Sequence, residues 1–164
     1  MKRTIISVGI YLAAIVLANL MIGWFGPSIS IINAFLLIGL DLTLRDELHD
    51  QWKDGLIWKM AVLIGSGSLI TVVLNWDALP IAIASSVAFL CSGIGDGLVY
   101  WRLRRRDFLV RSNSSNVVGA GIDSLIFPIL AFGFPPLWGI VAGQFIAKVF
   151  GGGIWSWILM RKFK

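Results

Sequence analysis

The sequence predicts an all-α integral membrane protein: a bundle of six transmembrane helices with both termini cytoplasmic, forming one domain over residues 1–164. Three observations predict it. The chain is 57% hydrophobic and only 14% charged, with a mean hydropathy of +0.84, whereas a soluble domain carries about a quarter charged residues. The apolar residues fall into long blocks of the length that crosses a bilayer. The basic residues crowd onto one side of those blocks.

The first block, Thr4–Trp24, is longer than a signal-peptide core and leads straight into further apolar segments. It is therefore read as the first helix and not as a removed leader. The others are Ile29–Leu44, Leu56–Leu74, Ala78–Trp101, Val117–Phe134 and Pro136–Met160. A helix needs about 20 residues to cross a ~30 Å hydrocarbon core. The second and fifth blocks are short by that measure and are expected to be little tilted or locally broken. None alternates with period two, which counts against a transmembrane β-barrel. The breaks "FGPS", "NWD" and "FGFPP" carry turn chemistry and no Lys or Arg.

The opposite side holds Lys2, Arg3, Arg45, Lys53, Lys59, Arg102, Arg104, Arg105, Arg106, Arg111, Arg161, Lys162 and Lys164. These are thirteen of the 14 basic residues. Such asymmetry places that side, and both termini, in the cytoplasm. Tryptophans flank the blocks as interfacial belts, with Trp24, Trp76 and Trp138 outside and Trp52, Trp58, Trp101 and Trp157 inside.

Several features have ordinary explanations. Cys91 excludes an internal disulfide framework and reads as a small buried hydrophobe. "RLRRRDFLVR" reads as a topology anchor facing anionic lipid, not a nucleic-acid surface. His49 is expected in a solvated, charged cytoplasmic loop, and no metal site is expected. Gly93/Gly97, Gly139/Gly143 and Gly151–Gly153 read as helix-packing positions, and the triple glycine also as a hinge.

The chemistry lies in polar residues inside the apolar blocks: Asn19, Asn33, Asp41, Arg45, Asp96, Asn116, Asp123, Gln144 and Lys148. Charge at a bilayer centre costs about 2.5–3.5 kcal/mol on insertion scales, so such residues face the interior, pair, and mark binding sites. Asp41, Asp96 and Asp123 are expected in the cytoplasmic halves of their helices, with Lys148 nearer the middle. Asp41/Arg45 and Gln144/Lys148 are spaced i,i+4 and share a helix face. Arg45 reads as a structural ion pair or gate at a helix end, snorkelling to the interface. Carboxylates and amides together suit a flat polar heterocycle, with Phe127, Phe132, Trp138 and Trp155 as stacking faces. A set of buried ion pairs that fixes helix register is the structural alternative.

At these residues the chain resembles a known family. "GLDLTLRDELHD", "GIGDGLVYWRLRRR", "RSNSSNVVGAGIDSLIFPILAFG" and "GQFIAKVFGGG" occur in that order. They are similar to signature segments of the VUT (vitamin uptake transporter) family, over nearly the whole chain from Asn19 to Lys148. The resemblance implies a six-helix inner-membrane importer of a queuosine precursor. Its cargo would be 7-cyano-7-deazaguanine (preQ0) or a related 7-deazapurine base destined for tRNA modification. It carries over to Asn19, to Asp41 and Arg45 in "DLT.R", to Asp96, to Asp123 in "DS.IF", and to Lys148. Substrate contact is expected from Asn19, Asn33, Asp41, Asp96, Asp123, Gln144 and Lys148.

The expected partners are that base and membrane lipid, with no nucleic acid; a homodimer is left open. No cofactor is expected and no catalytic residue is found. "GSGSLI" and "GIGDG" lack the Lys and Ser/Thr of a nucleotide-binding loop, and neither H-E-x-x-H nor a Ser/His pairing lies in the spans. The competing reading is a vitamin-type substrate-binding subunit that works with a separate energising complex.

Overall fold

The computed structural model describes residues 2–52 and 55–162. Lys53 and Lys164, counted above among the inner basic residues, lie outside them, as do the side chains of Lys2 and Lys162. Every regular element among the described residues is helical. Helix α1 spans Lys2–Phe25 and passes through a 3₁₀ turn, Gly26–Ile29, into α2, Ser30–Asn33. A π-helical stretch, Ala34–Ile38, joins α2 to α3, Gly39–Gln51. Then come α4 (Leu56–Leu74), a 3₁₀ turn (Trp76–Ala78), α5 (Leu79–Arg102), α6 (Phe108–Phe132) and α7 (Trp138–Lys162).

By length and composition, four stretches of the described residues can cross a membrane: 3–51, 56–74, 76–102 and 108–132. The first is 49 residues long, more than twice what one crossing needs, and it folds back on itself. Gly26, at φ +67°, takes the left-handed backbone that glycine adopts without a Cβ penalty. The returning leg then runs antiparallel to α1. Asn33 Nδ2 donates to the Ala18 carbonyl at 2.8 Å near the turn, and Arg3 Nε donates to Glu47 Oε1 at 2.6 Å at the far end. Helix α7, at 25 residues, is long enough to cross, but Gln144, Lys148 and its glycines dilute its apolar character.

The other helices alternate in the same way. Ser68 of α4 meets Ser86 of α5 at 2.6 Å beside the Trp76–Ala78 turn. Helices α5 and α6 form the most extensive pairing, antiparallel from Asp96 beside Gly119 to Tyr100 beneath Arg111. Helix α7 returns along α6 and runs parallel to the α2–α3 leg. The core between them is Tyr11, Ile15, Ala18, Ile38, Leu42, Leu44, Leu48, Met60, Leu63, Ile64, Phe89 and Ala120. Ile5, Ile57, Val73, Ile94 and Leu98 face outward, each more than half exposed. Such an apolar exterior suits lipid, not water.

Several sequence expectations are corrected here. The second block does not end at Leu44; its helix continues to Gln51, and the local break is the π-helical stretch. Arg45 therefore neither caps a helix end nor snorkels: it is 1% exposed. The helix continues because Arg45 and Asp46 find partners on α5 and α6 inside the bundle. The fifth block begins at Phe108, not Val117, which moves Asp123 out of the half of its helix nearer the basic end. Cys91 is only partly buried.

The triple glycine lies within α7, which is helical throughout. A Cβ on Gly151 would lie 2.2 Å from the Phe35 carbonyl oxygen, and one on Gly39 would lie 2.8 Å from Gly151. Glycine here lets two backbones touch.

Candidate functional site

Two separate groups of polar side chains are buried in the bundle. The first surrounds a cavity nearer the end formed by the Gly26–Ile29 and Trp76–Ala78 turns. Every leg except α4 contributes: Ala18, Asn19 and Ile22 from α1, Ser30, Asn33, Ala34 and Ile38 from the return leg, and Ser85 and Phe89 from α5. Asp123 and Phe127 come from α6, Gln144 and Lys148 from α7. About 300 Å³ of space lies between its walls, part of it open to the outside, and it is narrow; only a small part admits a water-sized sphere.

One wall is a charged knot. Lys148 Nζ donates to Asp123 Oδ2 at 2.5 Å, to Gln144 Oε1 at 2.8 Å and to Ser124 Oγ at 3.1 Å. Lys148 is 1% and Asp123 4% exposed. A charge so placed is tolerated because its partners replace water. The i,i+4 spacing of Gln144 and Lys148 lets a neutral amide complete the shell.

The other walls are left unsatisfied. Ser30 Oγ, Asn33 Oδ1, Ser85 Oγ and Asp123 Oδ1 are buried without a hydrogen-bond partner, and all four residues line this cavity. Buried polar atoms are paired in the great majority of cases, so orphans gathered round one hollow point to an occupant. Two of the four are pure acceptors, since Asn33 Nδ2 is committed to Ala18, which turns its Oδ1 to the cavity. Asn19 Nδ2 reaches Thr71 Oγ1 at 3.4 Å. Phe127 lines the cavity and packs edge-to-face with Phe132, centroids 5.7 Å apart.

The second group lies toward the basic end. Arg45 Nη2 approaches Asp41 Oδ2 at 3.4 Å and Nη1 donates to Ser92 Oγ at 3.3 Å. Asp46 accepts from Ser112 Oγ at 2.5 Å and from Ser115 Oγ at 3.4 Å. Asp96, fully buried, has no partner for either carboxylate oxygen, and the Tyr11 hydroxyl has none either. Asn116 Nδ2 reaches Ser112 Oγ at 3.4 Å. Arg45 and His49 also line an open cleft between α4 and α5, walled by Leu56, Met60, Ile64, Phe89, Gly93 and Trp101. Phe89 borders both hollows.

The structure thus brings Asn19, Asn33, Asp123, Gln144, Lys148 and Phe127 together. Asp41 and Asp96 belong to the second group and do not line the cavity, because α3 and α5 present them nearer the basic end. Of the three carboxylates expected to converge, Asp123 alone lines this cavity. Two of the proposed stacking faces are also displaced. Trp138 is 66% exposed at the start of α7, and Trp155 donates its indole N–H to the Leu36 carbonyl at 3.0 Å. Sequence reasoning passed over Ser30, Ser85 and Asp46. Serine in an apolar block carries no strong signal, and Asp46 sat in what looked like a solvated run.

No curated protein and no solved structure matches the chain. A sequence profile of the family described as "Putative vitamin uptake transporter" matches residues 2–160, which is nearly the whole chain. The apolar exterior, the helical hairpins and the polar hollow agree with that match: the chain belongs to the vitamin uptake transporter family, a family of multi-pass membrane transporters.

Proposed function

We propose that the protein imports a queuosine precursor, 7-cyano-7-deazaguanine or a related 7-deazapurine base, across the inner membrane. The chain would form six crossings with both termini cytoplasmic. Four orphaned polar atoms around one cavity carry the reading. Asn33 Oδ1 and Asp123 Oδ1 accept hydrogen bonds, and a deazaguanine presents ring and exocyclic N–H donors along its edges. Ser30 and Ser85 hydroxyls can meet a carbonyl or a ring nitrogen, Gln144 and Asn19 border the same space, and Phe127 offers an apolar face. The alternating helix directions, together with the one-sided Lys and Arg, support the topology. The narrow cavity fits an occluded state that opens to load and unload.

Uptake of radiolabelled 7-cyano-7-deazaguanine into proteoliposomes containing this chain alone tests the reading. The expected result is saturable uptake, competed by unlabelled 7-deazaguanines and reduced at least tenfold by Asp123→Asn. Normal transport by that variant would remove Asp123 from the site. Binding by the purified chain without uptake would favour the substrate-capturing subunit that needs an energising complex. Absence of binding across a panel of purines and 7-deazapurines would end the deazapurine reading.

A further inference from the structure

Asp46, His49 and Asp96 each offer a ligand atom, and these atoms all lie within 4.8 Å of one another. We propose that they form a binding site for a first-row transition-metal dication of the zinc, cobalt and manganese class, distinct from the substrate cavity.

Three observations point there. The first is charge. Among the described residues the ion pairs are Arg3–Glu47, Arg45–Asp41, Arg111–Asp50 and Lys148–Asp123. None includes Asp46 or Asp96, although both are fully buried. Arg45 is the nearest cation, and it is engaged by Asp41 and Ser92. Asp41, Asp46 and Asp96 thus share the single positive charge of Arg45 in a low-dielectric interior, an imbalance that one dication neutralises.

The second observation is Asp96 itself, whose two oxygens lack any partner where buried carboxylates are normally saturated. The third is the donor set. One imidazole and two carboxylates suit zinc and its first-row neighbours, whereas magnesium and calcium prefer oxygen alone. Tetrahedral ligands at about 2.1 Å from an ion lie about 3.4 Å apart, so the three atoms, all within 4.8 Å of one another, close by at most about 1.4 Å to hold one ion.

The surroundings are those of a supported site. Ser112 and Ser115 hold Asp46, and Tyr100 packs edge-on against the His49 ring, centroids 5.7 Å apart. Such supporting contacts orient ligands. Gly97 leaves the imidazole room, since a Cβ there would stand 3.7 Å from His49 Cε1. His49 also lines the cleft between α4 and α5.

The test uses purified full-length protein carrying a tag without histidine, stripped with chelator and titrated with Zn²⁺, Co²⁺, Mn²⁺, Mg²⁺ and Ca²⁺. One Zn²⁺ or Co²⁺ per chain is expected to bind and to raise the unfolding temperature, with Mg²⁺ and Ca²⁺ far weaker. Asp96→Asn and His49→Gln are each expected to weaken binding at least about tenfold, the scale on which even supporting residues act. His49 is only half-buried, so His49→Gln keeps the test alive if the aspartate variant misfolds. No Zn²⁺ or Co²⁺ binding, binding unaffected in both variants, or Ca²⁺ binding as tightly as Zn²⁺ would each overturn the proposal. None of these outcomes depends on the identity of the transported base.

Discussion

Lys148→Ala is expected to lower stability by about 3–5 kcal/mol, the scale on which a buried ion pair loses one partner. Lys148 gives hydrogen bonds to Asp123, Gln144 and Ser124. Its removal leaves the Asp123 carboxylate buried with neither oxygen paired, because Oδ1 is already free. The paired variant Asp123→Leu/Lys148→Met is expected to regain most of that loss, since an apolar pair of similar volume replaces a buried salt bridge at little cost. It is not expected to regain uptake, because the acceptor facing the cavity is gone. Thermal unfolding in detergent and uptake in proteoliposomes, measured on the native chain and both variants, separate the two effects. Equal stability of Lys148→Ala and the native chain would show that the knot is not a buried ion pair.

Gly151→Val is expected to be the most damaging change at a helix contact. Its Cβ would lie 2.2 Å from the carbonyl oxygen of Phe35 and within 3.2 Å of two more backbone atoms of that residue. Backbone cannot swing aside as a side chain can, so α7 must separate from the π-helical stretch. That separation also strains the Trp155 bond to Leu36 and the Thr43 bonds to Gly152 and Ser156, at 3.2 and 3.3 Å. Overpacking costs about 1–3 kcal/mol in soluble cores, and the expected loss lies at or above the top of that range. Gly65→Ala is the control. Gly65 lies inside α4 with nothing within 4 Å of its Cβ position, and alanine is the better helix former. An unchanged or slightly higher unfolding temperature is expected there. Similar behaviour of the two variants would argue against a backbone contact at Gly151.

The membrane class, the helical architecture and the importance of Asn19, Asp123, Gln144 and Lys148 as interior groups were legible in the linear chain. Apolar block length, one-sided basic residues and helical spacing are local properties, and lipid makes them stringent because it neither hydrates charge nor satisfies loose backbone. The i,i+4 relation of Gln144 and Lys148 needs no knowledge of neighbours. Which carboxylate meets which cation does require it. Asp123 pairs across to α7 and Asp41 along its own helix, a choice made by helix rotation and depth. Asp46, Glu47 and Leu48 looked solvated because their run is charged, yet α3 buries all three by docking against α1, α6 and α7. His49, placed beside Asp96 by that docking, changes from a loop residue to a candidate ligand. Charge and hydropathy along the chain report what each segment needs from its surroundings; only packing in three dimensions says which side chain supplies it.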